Sequence, residues 1–384
     1  YEIESKKLTA AIYYHPDGYK VSGPKLMGRH AAGESFLRGY LLHAKTDKFW
    51  VHATEAQHAQ DFSDTVRLHQ PDAEKVAFIS SENLSALAEP GTLYYPGPDI
   101  SLQARYRSIF GSDQWSLCGI THTTASSFVM DSISQWLTAP TQPWDAIICP
   151  SEAVKSNVEK ILEAEFAYLE QRLGVTRRVM PQLPVIPLGI HTADFQYSAN
   201  DKVESRIKLG IPTDAIAVLY VGRLSFHAKA HPLAMYQALS NVAAVTGKHI
   251  HLIECGWHNN DYIKEAFGQA SKAVCPNVTV TNLDGRDAVL RNQAWAAADI
   301  FCSLSDNIQE TFGITPLEAM AAGLPVVVSD WNGYRSMVRD GEDGYRIPTI
   351  MPQAGFGADL ANRHALKIDS YDMYCGFSSA FVSV

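Results

Sequence analysis

The sequence predicts an α/β protein made of two doubly wound, parallel-sheet domains in series. Three observations point to it. The chain has 384 residues, more than the roughly 100–200 of one ordinary domain. Short β-branched runs alternate with longer amphipathic runs in both halves, the pattern of strand–helix–strand units. Many of the strand runs are apolar throughout, as expected of parallel strands covered by helices on both faces. We place the domains at 1–195 and 196–384, with the boundary in the polar stretch 189–201. Strand C-termini in such a pair would face a cleft, where open α/β sheets bind ligands.

Each element has its own signal. In the first half the strand runs are 8–14, 49–52, 76–79, 92–95, 116–121 and 146–149. Residues 32–43 read as a helix, with Phe36, Leu37, Tyr40 and Leu41 on one face. A glycine-bearing loop from Gly18 to Gly33 precedes it and contains Arg29. Ser151 is a good N-cap for a long helix to about Leu173. In the second half the strand runs are 217–221, 250–254, 278–281, 300–304 and 325–328, and the helical runs are 232–244, 261–273, 287–297 and 316–322. The tail after Pro348 is glycine-rich and irregular and receives no assignment.

Composition narrows the function. Lys and Arg number 32 against 41 Asp and Glu, so the net charge of −9 argues against a nucleic-acid partner. The cysteines, Cys118, Cys149, Cys255, Cys275, Cys302 and Cys375, form no C-x-x-C pair and read as free thiols of a reducing compartment. No run of about 18 apolar residues exists to span a membrane, and residues 1–9 do not resemble a secretory signal. We therefore expect a cytoplasmic protein. The missing initiator Met and the abrupt end at Val384 suggest a piece of a longer chain.

The chemistry concentrates between Ala298 and Asp330, read as strand, loop, helix, turn, strand. Glu310 and Glu318 stand eight apart, one in the loop and one in the helix. Thr315 is a natural N-cap, Pro316 suits the first turn and Gly323 stops the helix. The N-terminus of that helix would offer free N–H groups to an anion. Thr315 with Glu318 also spells a capping box, which would give Glu318 a structural task. Upstream, a strand ending at Gly222 and Arg223 runs into a turn, with Lys229 six residues on. His227 and His231 flank Lys229, but no third metal ligand has recognisable spacing.

The stretch around Glu310 and Glu318 resembles the family 4 glycosyltransferases, whose two Rossmann-like domains form the GT-B architecture. The family's E-x7-E motif matches Glu310 and Glu318, and its "EAMA-G-PVV-S" segment matches 318–329. The resemblance implies that Glu318 binds the ribose hydroxyls of a nucleotide-sugar and that Glu310 lies beside the donor sugar. The backbone of Phe312, Gly313, Ile314 and Thr315 would approach sugar and phosphate. Arg223 and Lys229 would hold the diphosphate, and residues near 285–288 would read the base. Residues 185–195 are similar to the family's domain-boundary segment, with Leu188 and His191 departing from the usual Asn and Asp. In the first domain, the 18–33 loop would approach the donor phosphates and acceptor, and His122, after a strand and opening a helix, would abut the sugar.

The chain contains no Asp-x-Asp, the pair that holds a metal in the other major glycosyltransferase architecture. We therefore expect a metal-independent, retaining glycosyltransferase with no cofactor. Its partners would be a UDP-, GDP- or ADP-sugar and a glycan, lipid-linked glycan or protein acceptor; a lipid-linked acceptor would bring peripheral membrane association. Tyr13, Tyr14, Tyr94 and Tyr95 serve either core packing or sugar stacking. The rivals are a nucleotide-sugar epimerase or phosphorylase on the same architecture, and a non-catalytic sugar-nucleotide-binding or scaffold module. Sugar-nucleotide interconversion without acceptor marks the epimerase, and absence of nucleotide binding marks the scaffold.

Overall fold

The computed structural model describes residues 9–20, 28–46, 48–71 and 75–384. The chain divides into two compact units, Tyr1–Gly189 and Ile190–Val384. The division falls before Phe195, not after it, because Phe195 and Tyr197 pack on the core of the second unit. Phe195 meets Trp295 edge-on at 6.0 Å between ring centres.

The first unit holds six strands: β1 (Ala11–Tyr13), β2 (Lys48–His52), β3 (Lys75–Ile79), β4 (Thr92–Tyr94), β5 (Ser116–Ile120) and β6 (Ala146–Ile148). Their order is β3-β2-β1-β4-β5-β6, with every pairing parallel. The second unit repeats the plan with β7 (Ile216–Leu224), β8 (Ile250–His258), β9 (Thr279–Asp284), β10 (Ile300–Ser303), β11 (Val326–Ser329) and β12 (Gly344–Ile347). Here the order is β12-β11-β10-β7-β8-β9, again all parallel. In each sheet the chain winds outward from a middle strand, returns beside it and winds the other way. The reversal lies between β1 and β4 in one unit and between β7 and β10 in the other, the place where such sheets open a ligand crevice beyond the strand C-termini.

The unbroken apolar runs follow from this layering. Side chains alternate across a sheet, so a strand covered on both faces needs apolar residues at consecutive positions. Ala11 and Ile12 belong to cores on opposite faces of the first sheet. Val218 and Leu219 do the same in the second.

Each unit is also stapled by a carboxylate at the start of a strand. Asp145, just before β6, accepts both guanidinium nitrogens of Arg107 at 2.6 and 2.8 Å and the Leu117 N–H of neighbouring β5 at 2.8 Å. Both side chains of this pair are fully buried. Asp299, just before β10, accepts Arg206, Lys202 at 2.7 Å and the Ala217 N–H of neighbouring β7 at 2.8 Å.

Several boundaries differ from the sequence expectation. The helix expected from Ala32 begins at Gly28, after a short helix over Pro16–Tyr19, so Arg29 sits in its first turn and not in a loop. Residues 21–27 of the expected loop, and Leu8 of the expected first strand, lie outside the described residues. Strand β7 continues through Arg223 to Leu224, because β8 pairs with it over its whole length. The tail after Pro348 forms β13 (Thr349–Ile350), the helices Ala358–Ala365 and Tyr371–Phe377, and β14 (Phe381–Val382), antiparallel to β13. All six cysteines are free thiols, five of them buried.

Removing one partner of a buried ion pair strands the other charge, at about 3–5 kcal/mol. We expect Asp145→Ala to destabilise the first unit by that order in denaturant unfolding, while the transition of the second unit stays in place. A single unshifted transition would contradict the staple.

Candidate functional site

The switch point of the second sheet assembles most of the residues singled out in the sequence. The loop after β7 carries Lys229 and the loop after β10 carries Glu310, and β7 and β10 are neighbours. Lys229 Nζ lies 3.1 Å from Glu310 Oε2. The other carboxylate oxygen accepts the Thr311 N–H at 3.1 Å and the Phe312 N–H at 3.3 Å. Burial pushes this carboxyl up, but the Lys229 ammonium and the two amides outweigh it and hold it below its usual range. Glu310 is therefore a fixed negative charge. The Phe312 amide is committed to it, which corrects the expectation that this N–H approaches a donor.

Arg223 stands near the end of β7, half-buried. Among the described residues its guanidinium has no ion-pair or side-chain hydrogen-bond partner, while its carbonyl accepts the Tyr220 hydroxyl at 3.0 Å. His227 and His231 each contact protein groups. His227 Nε2 lies 3.4 Å from Asp372, and His231 caps the next helix by accepting the Leu233 N–H. Among the described residues no group of three or more His, Cys, Asp or Glu side chains is placed to hold a metal ion.

The helix after Glu310 runs from Ile314 to Ala321. Its N-cap is Gly313, with φ +87°, and no side chain caps it. Thr315 is thus a first-turn residue, not the N-cap, and the capping box with Glu318 does not form. Crowding selects the glycine. A Cβ on Gly313 would lie 1.8 Å from the Tyr334 ring, and one on Gly333 would lie 2.4 Å from Phe312 Cα. Tyr334 is itself fixed by a 3.0 Å hydrogen bond to Ser303. The N–H groups of Gly313, Ile314 and Thr315 donate to no partner among the described residues, and Pro316 has none to offer. An anion meets these free donors at a helix N-terminus.

Glu318 is released from capping. Burial pushes its carboxyl up to about 7, against a smaller downward pull from Arg291. Tyr197 is a close neighbour, its hydroxyl buried without a hydrogen-bond partner, and burial with the nearby Glu318 charge raises it to about 12. A poorly solvated carboxyl that accepts no hydrogen bond among the described residues is suited to accepting hydroxyls from a ligand. Residues 285–287, expected to read a base through their backbone, are largely engaged. The Gly285 N–H goes to Gly256 and its carbonyl to Arg291, while the Arg286 and Asp287 N–H groups both turn back to Asp284.

His122 belongs to the first unit, in the loop between β5 and a helix that opens only at Ser127. Burial, with Arg29 and His30 nearby, pushes its imidazole down to about 4, so it is neutral at pH 7. In the same unit the aromatic residues serve the core: Tyr14 and Tyr94 are buried, and Tyr13 packs on Tyr95 at 4.8 Å.

Sequence reasoning passed over the polar run Ser305-Asp306-Asn307 that shapes the Glu310 loop. Ser305 Oγ donates to the Lys229 carbonyl at 3.0 Å, Asp306 accepts the His231 N–H at 3.1 Å, and Asn307 Nδ2 donates to the His227 carbonyl at 2.6 Å. Three polar residues in a row after a buried strand were the available signal.

The two Rossmann-like domains make this a GT-B protein. Solved structures of the same architecture include Anabaena HepE in complex with UDP, with TM-score 0.58 and 16% identity over 96% of this chain and 93% of that one. Another is the lipopolysaccharide outer core galactosyltransferase WaaB, with TM-score 0.52 and 15% identity over 96% and 94%. Residues 201–354 match the family described as glycosyl transferases group 1. Among curated relatives, the phosphatidyl-myo-inositol mannosyltransferase of Mycobacterium tuberculosis H37Rv is 30% identical over 169 residues, 44% of this chain and 40% of that protein. The D-inositol 3-phosphate glycosyltransferase of Geodermatophilus obscurus is 29% identical over 190 residues, 48% and 41%. The chain thus matches under half the length of these relatives. Arg223, Lys229, Glu310 and Glu318 all fall in the family stretch, and His122 falls outside it.

The Gly313–Tyr334 contact is open to test. Gly313→Ala forces a side chain into a left-handed backbone and against a buried ring. We expect a loss of at least the ~1–3 kcal/mol of such strain in denaturant unfolding. An unchanged midpoint would contradict this account.

Proposed function

We propose that the chain is a retaining, metal-independent glycosyltransferase that moves a sugar from a nucleotide-sugar to a hydroxyl acceptor such as a glycan, lipid-linked glycan or protein. One observation carries the reading. A half-buried, unpaired Arg223, the Lys229–Glu310 pair, open amides at 313–315 and an undonated Glu318 lie within one group 1 glycosyl transferase domain.

Each group then has a task. Arg223, Lys229 and the open amides take up the negative charge that grows on the diphosphate as its bond to the anomeric carbon breaks. Lys229 carries three N–H donors, so its contact to Glu310 leaves two for phosphate oxygens. Glu310, a permanent anion, steadies the sugar and its developing positive charge. Glu318 accepts the ribose hydroxyls. The acceptor oxygen bonds to the same face of the anomeric carbon that the phosphate leaves, and a donor phosphate oxygen takes the acceptor proton, so no protein base is needed. His122, being neutral, would act as a hydrogen-bond partner to the sugar. Absence of a metal requirement is supported by the cations already in place. A non-catalytic sugar-nucleotide-binding module is disfavoured by the same residues, which an inert scaffold does not require.

The first experiment is calorimetric titration of the purified chain with UDP, GDP and ADP in EDTA. The UDP complex of HepE puts UDP first, and the mannosyltransferase relatives make mannose a donor sugar to try. We expect Glu310→Ala to keep nucleotide binding and lose transfer, and Arg223→Ala with Lys229→Ala to weaken diphosphate binding. Undiminished turnover by Glu310→Ala would remove the role given to it.

A pH dependence follows as well. Ribose hydroxyls favour the ionised form of Glu318, so binding lowers a pKa that stands near 7 in the free protein and releases a proton. Affinity therefore rises by up to about tenfold in all between pH 6 and pH 8 and levels off above. Glu318→Gln should flatten this profile. Asp306 and Glu254 are also pushed by burial to about 7, so the comparison with that variant isolates Glu318.

A further inference from the structure

The tail that the sequence left unassigned reaches the candidate site. Its helix Tyr371–Phe377 and the turn after it touch both loops at the switch point. On the loop that carries Lys229, Asp372 Oδ2 lies 3.4 Å from His227 Nε2, and a Cβ on Gly376 would lie 3.3 Å from His227 Cβ. On the loop that carries Glu310, Asn307 Nδ2 and Gln309 Nε2 each lie 3.5 Å from Cys375, at its carbonyl and its sulfur. The Ala380 N–H donates to the Asp306 carbonyl at 2.7 Å. The same Asn307 amide reaches the His227 carbonyl, so it joins both loops to the helix. The tail is anchored in turn: Cys375 is fully buried, Val382 joins the core, and β14 pairs with β13. Arg223 lies close enough to influence Tyr371 and Cys375.

We propose that the helix Tyr371–Phe377 is a clamp that sets the spacing of the Lys229 and Glu310 loops, with Asp372, Cys375 and Gly376 as positioning residues for the grip on the donor diphosphate. The proposal rests on the nucleotide-sugar reading of this site. Cations stabilise a diphosphate well only when they are held in place beforehand, since reordering them on binding consumes the gain. The clamp holds the diphosphate side. None of its contacts involves Glu318 or Tyr197, on the ribose side. Loosening it should therefore discriminate between ligands that differ by one phosphate.

The test titrates UDP and UMP, or the guanosine or adenosine pair if the wild-type chain selects it, into wild type, Gly376→Val and Asp372→Asn. Gly376→Val presses a branched side chain onto His227, and Asp372→Asn removes a charge at an exposed position. We expect Gly376→Val to weaken the diphosphate by about tenfold or more, with the monophosphate within about twofold and the melting temperature held. Asp372→Asn should move the same way by less. Equal loss of both nucleotides, or no loss in either variant, overturns the clamp alone. A wild-type chain that binds no nucleoside diphosphate overturns the donor-site reading and takes the clamp with it.

Discussion

The contact between Lys229 and Glu310 constrains everything around it. Glu310 is buried, and a buried carboxylate without compensation is expensive. It is compensated from two sides, by an ammonium from the loop after β7 and by two amides from its own loop. Both loops must therefore arrive together, which the adjacency of β7 and β10 provides. Turning the chain tightly enough for Thr311 and Phe312 to face the carboxylate brings Gly313 onto Tyr334 and Gly333 onto Phe312, with no room for side chains. The helix that follows then starts on a glycine, and its first amides are left open. The open amides at this helix N-terminus are thus a by-product of satisfying one buried carboxylate.

The two glutamates of the motif have the same side chain and opposite electrostatics. Glu310 is held ionised by charge and hydrogen bonds, whereas Glu318 sits where burial dominates and its carboxyl rises to about 7. The difference comes from neighbours, not from spacing. A carboxyl near its midpoint suits a group that waits for hydroxyl donors.

Layering was legible because strands buried on both faces leave an unmistakable pattern, as at Val218 and Leu219. The family resemblance singled out Glu310, Glu318, Arg223 and Lys229, and the fold brings Lys229 to Glu310. Local propensity misled where packing overrules it. Thr315 is a better cap than Gly313 by side chain, yet Tyr334 leaves space only for glycine. Gly222 and Arg223 read as the end of a strand, and β8 does offer partners through Leu224. The tail was illegible for another reason: its helices and two-residue strands are too short to declare themselves, and they exist through contacts with Asp306, Asn307 and His227 far away in sequence.

Asp145 and Asp299 play the same part at different strands, before edge strand β6 in one unit and before central strand β10 in the other, each joining a helix arginine to the backbone of the adjacent strand. Neither staple borrows a residue from the other unit. A chain built this way can be edited by halves. Substitutions in one unit can accumulate while the other keeps its own internal supports. The family stretch is confined to 201–354, within the second unit. A substitution that weakens one staple leaves the hydrogen bonds of the other in place.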